Sequence, residues 1–430
     1  MGSMADGFEA RLVRSVEESQ EELVGLVCDL IKAPSENPPG DQREVMGVIK
    51  DYLKAQGIPY EAPYLKPTQE NILATVGPTD GPRSLILYGH TDTVPVGKPD
   101  LWSFPAFAGD VRDGFIRGRG ATDMKAGTAC CLLLTSLFHR LEIPLGGPLT
   151  FHANPDEENY LLDEKLLCRL LDEGRLRGTA CIMAEPGGLG NIFVGDKGDL
   201  WVRLTARGRP AHGSCPMLGD SALEAALEAV DRIQRLVRGT VAMPEELLPL
   251  LPPSRRAARA RAIGMGLPER ASLAGRSLDR TTVTLGRITA GTMANVVPEA
   301  CEAELALCVP PGASSTRLAE DIRQAVKGLT EVEVTALSEP NYTDPRDPVV
   351  ASVAWASRRV LGRAAKPLLC PGTTDGQIFR PRGIPTLFYG PSDQGLAHAR
   401  DERVSAEETV IAAKVLGLAT LHYLGTSLAG

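Results

Sequence analysis

Apolar residues recur at helical spacing along Leu12, Val13, Val16, Leu23, Val24, Val27, Leu30 and Ile31, which predicts a helix over residues 5–31. The run Ser35-Glu-Asn-Pro-Pro-Gly closes it with turn chemistry, and a second helix over 43–56 stops at Gly57. Apolar runs at 72–76, 84–88, 149–153, 179–184 and 384–389 are too short for helices and read as buried strands. The longest apolar run, 126–138, reads as a helix packed under them; it falls short of the about 20 residues that a membrane span needs. Strands alternating with helices predict an α/β fold, a mixed, largely parallel sheet sandwiched by helices. Beyond residue 196 the order changes to strand 199–206, helix 221–237, strands 281–288 and 299–309, helix 313–329 and strand 331–336. That βαββαβ order is a ferredoxin-like α+β unit. Residues 1–195 and 341–430 then form one discontinuous domain, with 196–340 inserted into it. The Pro-, Arg- and Ala-rich stretch 243–280 reads as a solvated helical insertion.

A length of 430 residues agrees with two domains, because single cores stop growing near about 250–300 residues. The net charge of −8 argues against nucleic-acid and anionic-membrane partners. The 9 cysteines are scattered without a C-x-x-C pair, which suits buried thiols in a reducing cytoplasm rather than a disulfide frame or a thiolate zinc site. The opening MGSM reads as a leader added in cloning before Met4.

Candidate chemistry gathers where strands end. In open α/β sheets ligands collect beyond the carboxyl ends of the strands. His90 and Asp92 follow the strand at 84–88, Glu157 and Glu158 follow 149–153, and Glu185 follows 179–184, where Pro186 turns the chain. His398 lies beyond the strand at 384–389, and Asp123 immediately precedes the long apolar helix. An imidazole with a carboxylate two residues away suits a metal ligand with an orienting partner. Adjacent glutamates cannot point the same way, so one can bind a metal while the other faces water. Only 6 histidines exist; His139 and His422 read as helix residues and His152 as a satisfied core histidine.

The set GHTDTVP, RGATDMKAG, PDEE, AEP and GLAHARDE resembles the dinuclear-metal deacylase and carboxypeptidase family. That family includes acetylornithine deacetylase, succinyl-diaminopimelate desuccinylase, aminoacylase and the glutamate-releasing carboxypeptidases. The resemblance extends to the inserted domain through RPAHGSCP and GTMANVVPEACEAEL. It implies two divalent ions, zinc first, with cobalt, manganese or nickel able to use the same imidazole and carboxylate donors. One ion would take His90, Glu185 and a shared Asp123; the other Asp123, Glu158 and His398. It further implies Glu157 as general base toward a hydroxide bridging the ions, and Asp92 on the second nitrogen of His90. His212 from the other subunit of a homodimer would steady the oxyanion, with Asn295 as a further substrate contact. A cis peptide between Asp123 and Met124 is also implied. The reaction expected is hydrolysis of a small N-acyl amino acid or related N-acyl intermediate. The alternatives are a dipeptidase or carboxypeptidase of the same family, or a non-catalytic dimeric ligand-binding scaffold.

Three departures bear on the substrate. Where relatives carry Asp-x-Arg, this chain reads Ala306-Leu307-Cys308, and Gln377 replaces an arginine after the GT-[ST]-D loop. Asn159-Tyr160-Leu161 stands where a glycine pair is usual. Loss of a bidentate arginine predicts weaker recognition of an ordinary α-carboxylate and a less usual substrate, its anionic group held by Thr373, Thr374 and loop N–H groups.

Overall fold

The computed structural model describes residues 2–158, 165–393 and 395–425. An eight-stranded sheet runs in the order Ile72–Val76, Leu149–Asn154, Leu85–His90, Ala180–Met183, Thr386–Phe388, Asn191–Asp196 and Asn341–Tyr342. Lys366–Leu369 pairs with Asn191–Asp196 as the eighth strand. Leu85–His90 is parallel to both neighbours, and Ala180–Met183 is parallel to Thr386–Phe388. Antiparallel pairs lie toward the edges, so the sheet is mixed and largely parallel, as the pattern predicts.

Leu85–His90 is buried along its whole length, and the helix Ala126–Arg140 is buried nearly all round. The two approach very closely. A side chain added at Gly89 would sit 2.4 Å from Thr128 Oγ1, and one at Gly127 would sit 1.9 Å from the Ala184 carbonyl oxygen. Only glycine permits that contact, which brings Asp123, just before this helix, beside the ends of the strands carrying His90 and Glu185.

The second unit is a four-stranded antiparallel sheet, ordered Glu331–Leu337, Gly198–Arg207, Ala300–Val309, Thr282–Ala290. Helices Ala222–Leu236 and Ser315–Ala325 cover one face through a core that includes Leu200, Leu204, Ile233, Leu305 and Ile322. Its element order is the βαββαβ read from the sequence.

The structure departs from the sequence pattern in several places. The first helix breaks at Ser19 into Gly2–Glu18 and Gln20–Lys32. Asn191–Asp196 and Lys366–Leu369 are strands the pattern does not flag. The reading of 243–280 as a solvated helical insertion holds for its helices and most of its arginines, which are exposed, but is corrected for its apolar side. Its helix Leu251–Gly264 is anchored on the large sheet by the Leu369 N–H, which donates to Ser254 Oγ at 2.9 Å. Leu247, Leu250, Leu251 and Leu278 join the main core, and Arg255 pairs with Asp279 at 2.6 Å. No helix among the described residues is long and apolar enough to cross a membrane.

Candidate metal centre

Six of the side chains singled out above converge. Asp123 lies between two histidines: Oδ1 is 3.2 Å from His90 Nε2, and Oδ2 is 3.3 Å from His398 Nε2. Glu185 Oε1 is 3.8 Å from the same nitrogen of His90, and Glu158 Oε1 is 2.9 Å from that of His398. Asp123, Glu157, Glu158, Glu185 and His398 line one cavity of about 270 Å³. Glu158 also borders a cleft of about 680 Å³ under the inserted sheet, whose wall includes Trp201, Arg203 and Glu304. The Asp123–Met124 peptide is cis. His398 takes a left-handed backbone (φ 62°), uncommon outside glycine, which marks the loop as held in place by its surroundings.

The supports of these groups are largely buried. Asp92 receives the main-chain N–H of Glu157 and of Glu158, each at 3.0 Å, and the Asn37 amide at 2.9 Å. The Nδ1 of His90 lies 3.0 Å from the Asp92 main-chain oxygen and 3.4 Å from its carboxylate. The expected Asp92–His90 contact therefore runs mainly through the backbone, and the carboxylate clamps the glutamate loop instead. Glu402 accepts N–H groups from Gly120, Thr122 and Asp123 and pairs with Arg119 at 2.6 Å, fixing the turn that presents Asp123. Asp375 accepts from Tyr88, Asn154 and Lys165, and Lys165 also donates to the Glu157 carbonyl at 3.1 Å. Neither Glu402 nor Asp375 is assigned a role by sequence reasoning, although both lie within the motifs GLAHARDE and GTTD.

Crowding of carboxylates sets the electrostatics. Burial, joined by neighbouring acids, pushes Glu157 and Glu185 well above the usual carboxylate range. Burial opposes charge on His90, yet Glu185 and Asp123 carry its pKa well upward. Hydrogen bonds to Asp123 and Glu158 push His398 up to about 11. Among the described residues, Glu185 Oε1 is buried without a hydrogen-bond partner. Imidazole and carboxylate donors aimed at one space, with an orphaned carboxylate oxygen among them, fit hard or borderline divalent cations. His90, Asp123 and Glu158 by themselves bring one ligand atom each within 4.8 Å of one another.

Other expected residues lie apart or are partly engaged. His212 and Asn295 sit together on exposed loops of the inserted unit, where Gly213 N donates to the Asn295 carbonyl at 2.7 Å, and neither lines the cavity. The His212 ring is 2.8 Å from Ser214 Oγ. Thr373 and Thr374 do line the cavity, but Thr374 Oγ1 donates to Asp196 and Thr373 Oγ1 to the Lys197 carbonyl. Cys308 Sγ lies 3.9 Å from Asp199, and Gln377 is buried in the short helix Gly376–Phe379. Residues 159–161 lie outside the described residues.

A family model, peptidase family M20/M25/M40, matches residues 86–422. The chain belongs to that family. As a member it is a dinuclear metal hydrolase acting on amide bonds. It is 27% identical over 405 residues to a succinyl-diaminopimelate desuccinylase of Methylorubrum extorquens, covering 90% of this chain and 94% of that relative. Its fold matches the M20 family metallo-carboxypeptidase Sso-CP2 of Sulfolobus solfataricus at TM-score 0.79 and 18% identity, over 93% of this chain and 98% of the other. It also matches the dipeptidase Dug1p of Saccharomyces cerevisiae at TM-score 0.77 and 15% identity, over 97% and 99%.

Proposed function

We propose that this family member removes the acyl group from a small N-acyl amino acid or a related N-acyl intermediate. The observation that carries the reading is Asp123, whose two oxygens each face one imidazole in a cavity that Glu157 also lines. His90, Asp123 and Glu185 would hold one divalent ion, and Asp123, Glu158 and His398 a second. Zinc suits this thiolate-free set best among the metals with those donor preferences. When bound, such ions supply Lewis acidity toward an amide carbonyl and lower the pKa of water.

The chain's own groups do the rest. Glu157 takes the proton from the attacking water and returns it to the departing nitrogen, a task that favours a carboxyl group raised by burial. Asp92 keeps Glu157 in place through the main chain. His212 and Asn295, exposed and side by side, would reach a neighbouring subunit's site, where the histidine would steady the developing oxyanion. The working unit is then a homodimer, with 196–340 as its dimerisation and lid domain and 1–195 with 341–430 as the catalytic domain.

A second reading is dipeptide or carboxyl-terminal peptide hydrolysis, supported by the likeness of fold to a metallo-carboxypeptidase and a dipeptidase. Zinc-loaded protein incubated with N-acetyl and N-succinyl amino acids and with dipeptides separates the two. Release of amine from acyl-amino acids at higher kcat/KM than from dipeptides supports deacylation. The reverse order supports peptidase action, and no amine from any of them contradicts both.

A further inference from the structure

The helix Leu251–Gly264 forms one wall of the cavity that holds Asp123, Glu157, Glu185 and His398, and it contributes Arg261 to that wall. Apart from His398, Arg261 is the cationic side chain among the residues lining this cavity. It is exposed, and no described residue forms an ion pair or hydrogen bond with its guanidinium. Of the other arginines in 243–280, Arg255 pairs with Asp279, Arg270 lies beside Glu269 and Arg280 donates to the Arg238 carbonyl, while Arg256 and Arg259 on the same helix do not line the cavity.

The helix is held firmly. Ser254 Oγ both donates to the Leu250 carbonyl at 2.6 Å and accepts the Leu369 N–H. At its far end, a side chain added at Gly395, on the loop leading to His398, would lie 3.5 Å from Met265 Cγ. Arg261 is thus set on an anchored element and shares the cavity with the carboxylate cluster, and Ala257, Ala258, Leu278 and Leu369 line the same cavity. An anion brought there can meet the guanidinium in a charge-assisted, two-pronged contact, which is stronger than a neutral hydrogen bond.

We propose that Arg261 binds the carboxylate of the substrate, taking over from the arginines that Cys308 and Gln377 replace. The inference rests on the N-acyl amino acid reading above. It replaces the expectation that this chain grips the anion with threonines and loop N–H groups alone. The carboxylate could belong to the amino acid or to a dicarboxylic acyl group, and the two are separable by ligand choice.

The test compares N-acetyl-L-leucine and N-succinyl-L-leucinamide with the uncharged N-acetyl-L-leucinamide. Binding to metal-free protein is measured by calorimetry, and kcat/KM is measured on zinc-loaded protein. The wild type should favour at least one carboxylate ligand, and Arg261→Gln should cut that preference roughly 10- to 100-fold. The ligand whose advantage falls identifies the source of the carboxylate. Arg261→Lys should restore only part, because a point charge lacks the planar fork. Arg256→Gln, on the same helix but not lining the cavity, should keep the wild-type preference. An unchanged preference in Arg261→Gln, or none in the wild type, overturns the proposal. An Arg261-dependent binding preference without hydrolysis of any ligand leaves it standing and overturns the deacylase reading instead.

Discussion

Asp92 Oδ1 accepts the main-chain N–H of Glu157 at 3.0 Å. The second oxygen of the same carboxylate accepts the N–H of Glu158, so one buried side chain aligns the main chain of both Glu157, the proposed proton carrier, and Glu158, the proposed metal ligand. In Asp92→Asn, one of those N–H groups would face an amide NH₂ rather than an acceptor. The expected result is a loss of roughly 10- to 100-fold in kcat or in metal affinity, as for other supports of metal sites. Activity and zinc content measured together check it; wild-type values for both would contradict the clamp.

Glu157 lines the cavity without closely contacting either histidine, unlike Glu158. Glu157→Gln keeps its size and removes its basicity. Turnover should fall roughly 10²- to 10⁴-fold, the range for a lost general base, while bound metal and melting temperature stay near wild type. Elemental analysis beside steady-state kinetics distinguishes this from loss of metal.

Removal of metal should also cost stability. Without cations Asp123, Glu158 and Glu185 remain crowded, and a ligand bound only by the native state stabilises it by about 2.7 kcal/mol at a hundred times its Kd. EDTA treatment should lower the melting temperature by several degrees, and zinc should restore it. Glu185→Gln should blunt that response. Identical melting curves with and without metal would contradict a centre built from these residues.

His152 provides a pH signature away from the metal cluster. Its Nε2 is 2.7 Å from Asn71 Oδ1, an acceptor, while Nδ1 is buried without a partner. Burial holds its pKa down at about 3. Between that value and the about 6.5 of an unfolded histidine, only the unfolded state carries the proton, so stability falls as pH drops. At pH 5 this contribution amounts to about 2 kcal/mol lost relative to neutral pH. Urea titrations of the wild type and His152→Gln at pH 7.5 and 5 should show a smaller acid loss in the variant.

The strand ends were legible because a short apolar run followed by a histidine or acid has few other readings, and His90, Glu158 and Glu185 emerge at such exits. Glu402 was less legible, since its partners at 120–123 are some 280 positions away and meet it only in the folded chain. The division of labour in Asp92, backbone to His90 and carboxylate to the glutamate loop, has no signature in residue spacing. The segment 243–280 misled for a different reason. Its helix carries as many alanines as arginines, four of each, and turns Ala257, Ala258 and Arg261 to the cavity, so its charge hid a packed side.

The sharing of Asp123 between His90 and His398 underlies the whole account. Anomalous diffraction at the zinc edge from a zinc-loaded crystal tests it most directly. Two peaks are expected, one beside His90 and Glu185 and the other beside Glu158 and His398, with Asp123 between them. A single peak, or density away from Asp123, would contradict it.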